Sequence, residues 1–116
     1  WQHRRSAVLD LGAGLGRLQL VADAAGPLAF AKLPAMLTVG FRSGGERLQL
    51  ETRGPRRPLK DLLREAGVLP WWRTRLPLVA AQGRLVAVAD LWTDAAFRAG
   101  PRTRRRARLQ WLPPAP

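Results

Sequence analysis

Hydrophobic and polar residues alternate with a period of two in parts of this chain, which is typical of half-buried β-strands. Leu18 and Leu20, for example, alternate with Arg17 and Gln19. A glycine-containing turn joins the first two of these stretches, and another joins the next two. The pattern therefore predicts one hairpin over 7–21 and another over 36–51. The four strand candidates are residues 7–11, 17–21, 36–41 and 47–51.

One segment has a helical period instead. The apolar residues of 58–66 recur at i, i+3, i+4 and i+7, which places them on a single face of a helix. Pro58 suits the first helical position, and Gly67 stands where a C-terminal cap is expected. Pro70 can open one further helical turn. The apolar face consists of Leu59, Leu62, Leu63 and Ala66.

The C-terminal half predicts a third hairpin followed by a tail. Residues 77–81 and 84–91 flank Gln82-Gly83, a turn sequence. Beyond Gly100 the chain is rich in arginine and then proline, and we expect its end to fray. The fold class is therefore α+β, with antiparallel hairpins or a sandwich and one main helix. We expect one domain over 1–100 and a basic, proline-rich tail over 101–116.

Composition limits the chemistry. The 116 residues include no cysteine and a single histidine, His3, which argues against thiolate metal sites and a catalytic triad. We predict no catalytic residue, no metal ligand and no cofactor site in this chain. No apolar run reaches the roughly 18 residues of a membrane span, and no signal peptide is evident, so a cytoplasmic protein without a membrane partner is expected.

The net charge of the chain indicates which kind of partner it binds. Twenty basic residues against eight acidic ones give a net charge of +12. Residues 42–75 contribute nine basic and four acidic side chains, and residues 98–108 contribute six arginines and no acid. A small basic domain with these features most often meets nucleic acid, although a solvated basic surface is the alternative.

Two glycine-rich stretches resemble nucleotide or cofactor loops. Residues 8–16, VLDLGAGLG, are similar to the cofactor turn of S-adenosylmethionine-dependent methyltransferases, but 17–21 predicts a strand where those enzymes need a helix. A β-hairpin explains the stretch more simply, and a methyltransferase-like fragment stays an alternative. Residues 43–46 lack the Asp-Ser of the ATP-pyrophosphatase loop, so no nucleotide site is predicted there.

The segment 36–92 resembles the C-terminal domain of bacterial tRNA(Ile)-lysidine synthetase. It has the family's Gly-Gly-Glu-Arg turn, Arg-Gly element, leucine-rich helix, Pro-Trp-x-Arg and Leu-Pro-Leu sequences in order. Leu69 and Asp61 depart from the family pattern, since proline and lysine are common there. The matching residues are Arg42, Gly44, Gly45, Glu46, Arg47, Arg53, Gly54, Leu59, Lys60, Leu62, Leu63, Glu65, Gly67, Val68, Pro70, Trp71, Arg73, Leu76, Pro77 and Leu78.

The resemblance implies an accessory domain that binds tRNA near the acceptor stem. The complete enzyme joins lysine to the wobble cytidine, and its N-terminal catalytic domain uses ATP and Mg²⁺. That domain is implied as a partner within the same polypeptide, and this chain alone should have no ligase activity. A structural docking domain that does not bind RNA is the other alternative.

The basic residues of the matching region are the candidate contacts with tRNA. Trp71 and Trp72 are adjacent and point differently, so one is expected in the core while the other can stack on a base. Glu46 and Glu65 are expected to pair with arginines. The tRNA-binding candidates are Arg42, Arg47, Arg53, Arg56, Arg57, Lys60, Arg64 and Arg73.

Overall fold

A computed structural model of the protein describes residues 1–12 and 14–114. Short 3-10 helices at Phe30–Lys32 and Ala95–Phe97 accompany its strands and α-helices. In chain order the elements are β1 (Val8–Asp10), β2 (Arg17–Ala22), β3 (Leu28–Ala29), β4 (Thr38–Gly40), β5 (Arg47–Gln49), β6 (Arg56–Pro58), α1 (Leu59–Glu65), α2 (Pro70–Arg73), β7 (Leu78–Ala81), β8 (Arg84–Val88), β9 (Trp92–Thr93) and β10 (Arg106–Leu112).

The first sheet has the strand order β1-β2-β10-β3, and its last strand in sequence lies inside it. β10 pairs antiparallel with β2 from Ala107 opposite Ala22 to Leu112 opposite Arg17, and it also pairs with β3. The tail predicted over 101–116 is therefore wrong for Arg106–Leu112. The physical reason is that alternate β10 side chains are buried, so the strand completes the core. The predicted fraying of Ala115 and Pro116 lies outside the described residues.

Two glycines let neighbouring loops approach β10 closely. A Cβ on Gly16 would lie 2.1 Å from the carbonyl oxygen of Leu112, and one on Gly26 would lie 2.3 Å from that of Ala107. Gly16 also has a φ of +83°, in the left-handed region that favours glycine. These contacts fix both ends of β10 against the preceding chain.

The glycine-rich stretch connects β1 to β2 in an antiparallel hairpin, as predicted. Leu9 of β1 pairs with Leu18 of β2, and the side chain of Asp10 accepts a hydrogen bond from the Gly12 N–H at 2.9 Å. No helix follows the glycines, because β2 begins at Arg17. The arrangement that a methyltransferase cofactor turn requires is absent from these residues, so that alternative is wrong.

The second sheet has the order β4-β7-β8-β9. Its β7–β8 hairpin confirms the prediction, with Gln82 and Gly83 both at positive φ, as a tight hairpin turn requires. The hairpin predicted over 36–51 is wrong, since β4 pairs with β7 while β5 pairs with β6. The backbone N–H of Gln49 in β5 instead donates to the buried carboxylate of Asp94 at 2.8 Å.

The helix α1 buries Leu59, Leu62 and Leu63 as predicted. Gly67, with a φ of +70°, follows its last turn, which confirms the predicted cap. Ala66 is exposed and Pro58 ends β6, so the helix is one residue shorter at each end than predicted.

The α+β fold class, with antiparallel sheets and few helices, is confirmed. In the ranges that the structure describes, no helix is long and apolar enough to cross a membrane.

Candidate nucleic-acid interface

The turn between β4 and β5 is organised by the side chain of Glu46. Its carboxylate accepts hydrogen bonds from the backbone N–H of Ser43 at 2.8 Å and of Gly44 at 3.1 Å, and from the Ser43 hydroxyl at 3.1 Å. Gly44 and Gly45 have φ values of +113° and +82°, a backbone path that other residues rarely adopt. The prediction that Glu46 pairs with an arginine is wrong, since its acceptors serve the backbone of its own turn.

These hydrogen bonds favour the charged form of Glu46. Partial burial acts to raise the pKa of this carboxyl group. The backbone N–H groups of Ser43, Glu46 and Gly44, together with the Ser43 hydroxyl, outweigh that effect and lower the pKa below its ordinary value. The carboxylate is therefore ionised, and the turn held, throughout the neutral pH range.

A depression beside this turn brings three of the predicted basic residues together. Arg42, Arg47 and Lys60 all line it. Lys60 is exposed on α1, and Arg47 is exposed on β5, so the depression lies between the turn and the helix. We name this surface the turn-42 surface. Its lining residues are Arg42, Gly44, Gly45, Glu46, Arg47, Pro58, Lys60 and Asp61.

The acids of the turn-42 surface have other partners. The carboxylate of Glu46 binds the turn backbone, and Asp61 forms an ion pair with Arg64 at 3.3 Å. Arg42, Arg47 and Lys60 form no ion pair within residues 1–12 and 14–114. Three cationic groups and two carboxylates therefore line the depression, and none of the three cations is held in an ion pair among the described residues.

Three other predicted contacts lie around this surface. Arg56 on β6 is exposed, lines a second groove that also includes Arg47, and accepts a hydrogen bond from Arg47 through its carbonyl oxygen at 3.3 Å. Arg53 is exposed in the loop between β5 and β6. Arg57 forms an ion pair with Glu65, which confirms the predicted role of that glutamate. The hydrogen bond that the Arg57 guanidinium donates to the Glu65 carboxylate raises the pKa of Arg57.

The last predicted basic contact has a structural role. The Arg73 Nε donates to the carbonyl oxygen of Val68 at 2.7 Å, and the residue is half-buried at the end of α2. This bond gives the carbonyl oxygen of Val68, in the loop between α1 and α2, a hydrogen-bond partner. Arg73 is therefore less available to a ligand than the residues of the turn-42 surface.

The two adjacent tryptophans point differently, as predicted. Trp72 packs against Trp111 of β10, with ring centroids 5.0 Å apart, and joins the core of the first sheet. Trp71 is 62 % exposed on the neighbouring side of α2. An exposed indole can stack on a base without first breaking a packing contact.

A buried carboxylate that was not predicted from the sequence holds β5, the strand that carries Arg47. Asp94 is fully buried and accepts hydrogen bonds from the N–H groups of Gln49 and Ala96, and its partner in an ion pair is Arg84 at 3.0 Å. The Arg84 guanidinium also donates to the Gln49 side chain at 3.2 Å. The network ties β5, which carries Arg47, to β8 of the second sheet.

Comparisons with known proteins agree with this architecture. Residues 37–111 match the family model described as TilS substrate C-terminal domain. Over 103 residues, the chain is 43 % identical to tRNA(Ile)-lysidine synthase from Pseudomonas aeruginosa, covering 87 % of this chain and 20 % of that protein. Over 86 residues, it is 40 % identical to the Vibrio cholerae enzyme of the same name, covering 74 % of this chain and 20 % of the enzyme.

A solved structure extends the likeness to the fold. The crystal structure of a TilS C-terminal domain superimposes with a TM-score of 0.69 and 26 % identity, covering 91 % of each chain. This coverage includes the greater part of the described chain, and the family match runs through β10 to Trp111. The chain therefore belongs to the family of C-terminal domains of tRNA(Ile)-lysidine synthases.

Proposed function

We propose that this domain binds tRNA through the turn-42 surface and serves as the RNA-binding accessory domain of a tRNA(Ile)-lysidine synthase. The chain spans about a fifth or less of the length of the curated relatives it matches, each of which is named tRNA(Ile)-lysidine synthase. Under this proposal the ATP- and Mg²⁺-dependent ligation belongs to an N-terminal catalytic domain. The cytoplasmic location of such an enzyme stays a prediction from the sequence.

The observation that carries the proposal is the carboxylate-bound turn. Glu46 fixes the backbone between β4 and β5, so Arg42 and Arg47 project from a chain segment of defined shape. Donors that are ordered before binding lose less conformational freedom when a ligand arrives. Arginine donors in fixed positions suit phosphate oxygens, which accept two hydrogen bonds from one guanidinium.

Duplex RNA is the ligand that such a surface fits best. The deep major groove of A-form RNA hides its base edges, so proteins recognise the helix by its phosphates, its 2′-hydroxyls and its shape. The turn-42 surface offers cations around a depression, and Arg56 on β6 and Arg53 in the loop before it are two further exposed arginines. We assign the acceptor stem as the bound part of tRNA, in line with the family resemblance.

Trp71 supplies a second kind of contact in this proposal. Bases at the end of a stem are open to stacking, and an aromatic ring binds any base face. Trp71 is exposed and Leu69 beside it is also about half exposed, whereas Trp72 is committed to Trp111. Trp71 is therefore the stacking residue that we assign, and Trp72 is assigned to the core.

The test is a pair of double substitutions measured against a tRNA transcript. Arg42→Ala with Arg47→Ala should weaken binding of the full chain about tenfold at roughly 0.1 M salt, because two ordered phosphate contacts are lost. Arg17→Ala with Arg102→Ala removes the same charge from exposed positions outside the surface and should cost less than about threefold. Equal losses in the two pairs would show that the turn has no special role. No binding by the unsubstituted chain would favour a docking domain that does not contact RNA.

A further inference from the structure

A second basic cleft lies on the first sheet, away from the turn-42 surface. It is formed by the N-terminal turn, the 3-10 helix after β3 and the start of β10. No residue of 42–64 lines it. We name it the Arg4–Arg105 cleft, and its lining residues are His3, Arg4, Phe30, Ala31 and Arg105.

Arg105 is held in place within this cleft. Its guanidinium carbon lies 4.4 Å from the centroid of the Phe30 ring, a cation–π geometry. The carbonyl oxygen of Arg105 also accepts a hydrogen bond from the Phe30 N–H at 3.0 Å. Arg105 is therefore ordered, because both its side chain and its backbone contact Phe30.

The wall beneath Phe30 is also fixed. His3 is 3 % exposed and packs edge-on against Phe30, with ring centroids 5.8 Å apart. Its Nε2 lies 2.7 Å from the carbonyl oxygen of Pro34, and because a carbonyl only accepts, Nε2 carries the proton. Nδ1 has no hydrogen-bond partner among the described residues, but it is buried and is not accessible from the cleft.

The two sequence segments that carry Arg4 and Arg105 contain no acidic residue. Residues 1–9 contain Arg4 and Arg5 and no acid, and residues 98–108 contain six arginines and no acid. Neither Arg4 nor Arg105 forms an ion pair in the part of the chain that the structure describes. Arg108, by contrast, pairs with Asp23 at 3.3 Å, and Arg106 donates to the carbonyl oxygen of Gly100 at 2.9 Å.

We propose that the Arg4–Arg105 cleft binds one phosphate group of the RNA backbone. The two guanidinium groups contact the phosphate oxygens. This inference rests on the proposed function and adds a second, separate contact with the same RNA. Phe30 acts as a positioning residue, since its ring holds the Arg105 guanidinium, and His3 packs against that ring.

The test compares two pairs of arginines in the same region. Arg4→Ala with Arg105→Ala should weaken binding of the full chain to a tRNA transcript about tenfold and should reduce the slope of log K against log salt by about 2. Arg102→Ala with Arg104→Ala removes equal charge from exposed neighbours that do not line the cleft, and should cost less than about threefold. Equal effects of the two pairs would overturn the cleft as a site.

A single substitution distinguishes loss of the site from loss of the fold. Arg4 is exposed in a turn, so Arg4→Ala alone retains the fold and should still weaken binding about threefold. No weakening by Arg4→Ala would overturn the phosphate contact. If the Arg42 and Arg47 pair matters while this pair does not, the inference alone fails, whereas absence of any RNA binding removes the proposed function as well.

Discussion

Glu46 shows how an acidic residue can serve a basic surface. Its carboxylate binds two backbone N–H groups and a hydroxyl of the turn that carries Arg42, so it fixes the path of the chain. At the same time it places a negative charge near the phosphates that we propose are bound. The two effects oppose each other, and the shape of the turn is the one on which the proposed interface depends.

We predict that Glu46→Gln weakens tRNA binding several-fold even though it makes the chain more positive. Glutamine offers one weaker carbonyl acceptor where the carboxylate offers two charged oxygens, so the turn loses its order. Glu51→Gln is the matched control, because Glu51 is exposed in the loop after β5 and its removal adds the same charge. Fluorescence anisotropy with labelled tRNA measures both. Tighter binding by Glu46→Gln, to the same extent as Glu51→Gln, would show that only charge counts.

Asp94 stabilises the folded state of the protein. We predict that Asp94→Ala lowers the free energy of unfolding by about 2–4 kcal/mol, because it leaves the Arg84 charge and the Gln49 N–H without their buried acceptor. Urea denaturation followed by circular dichroism measures the change. Asp61→Ala, which removes an exposed pair with Arg64, should cost less than about 1 kcal/mol. Similar losses for the two variants would contradict the role assigned to the Asp94 network.

At the scale of elements, local patterns predicted the local structure. The β1–β2 hairpin, the β7–β8 hairpin and α1 each depend on residues close in sequence, such as Gly67 at the end of the helix. The hairpin predicted over 36–51 was wrong because β4 pairs with β7, with Val39 opposite Val79. A sequence pattern in one strand does not record a partner so distant.

β10 could have been recognised from its alternation. Ala107, Leu109 and Trp111 are buried while the residues between them are half-buried, the period of two expected of a strand. The arginines at the outward positions concealed this pattern within a run that predicts a tail. Of the predicted tRNA contacts, Arg42, Arg47 and Lys60 line one depression, and their binding of RNA stays a prediction.

Truncation tests the place of β10 in the fold. A chain ending at Gly100 lacks a strand that pairs with both β2 and β3, so we predict that it fails to fold rather than merely binding RNA less well. A chain ending at Pro113 retains the strand and should keep its structure. Amide spectra by NMR distinguish the two, and a dispersed spectrum for the shorter chain would contradict this account.

At the scale of the whole molecule, the positive charge is distributed over separate parts of the fold. The turn-42 surface is formed by the turn after β4, the β5–β6 pair and α1, and the Arg4–Arg105 cleft lies beside the first sheet. Several arginines have partners within the protein, since Arg84 and Arg108 pair with aspartates and Arg73 donates to a backbone carbonyl. Each arginine–aspartate pair is neutral, so the net charge of +12 is carried by the side chains outside these pairs.

The salt dependence of tRNA binding by the full chain tests the central claim most directly. If the domain neutralises roughly 3–5 phosphates, log K should fall linearly with log salt with a slope of about −3 to −5. The same chain should prefer a tRNA transcript to a DNA duplex of equal length at each salt concentration. Binding that is absent, or that does not change with salt, would contradict the account and would assign the basic surfaces to protein or solvent.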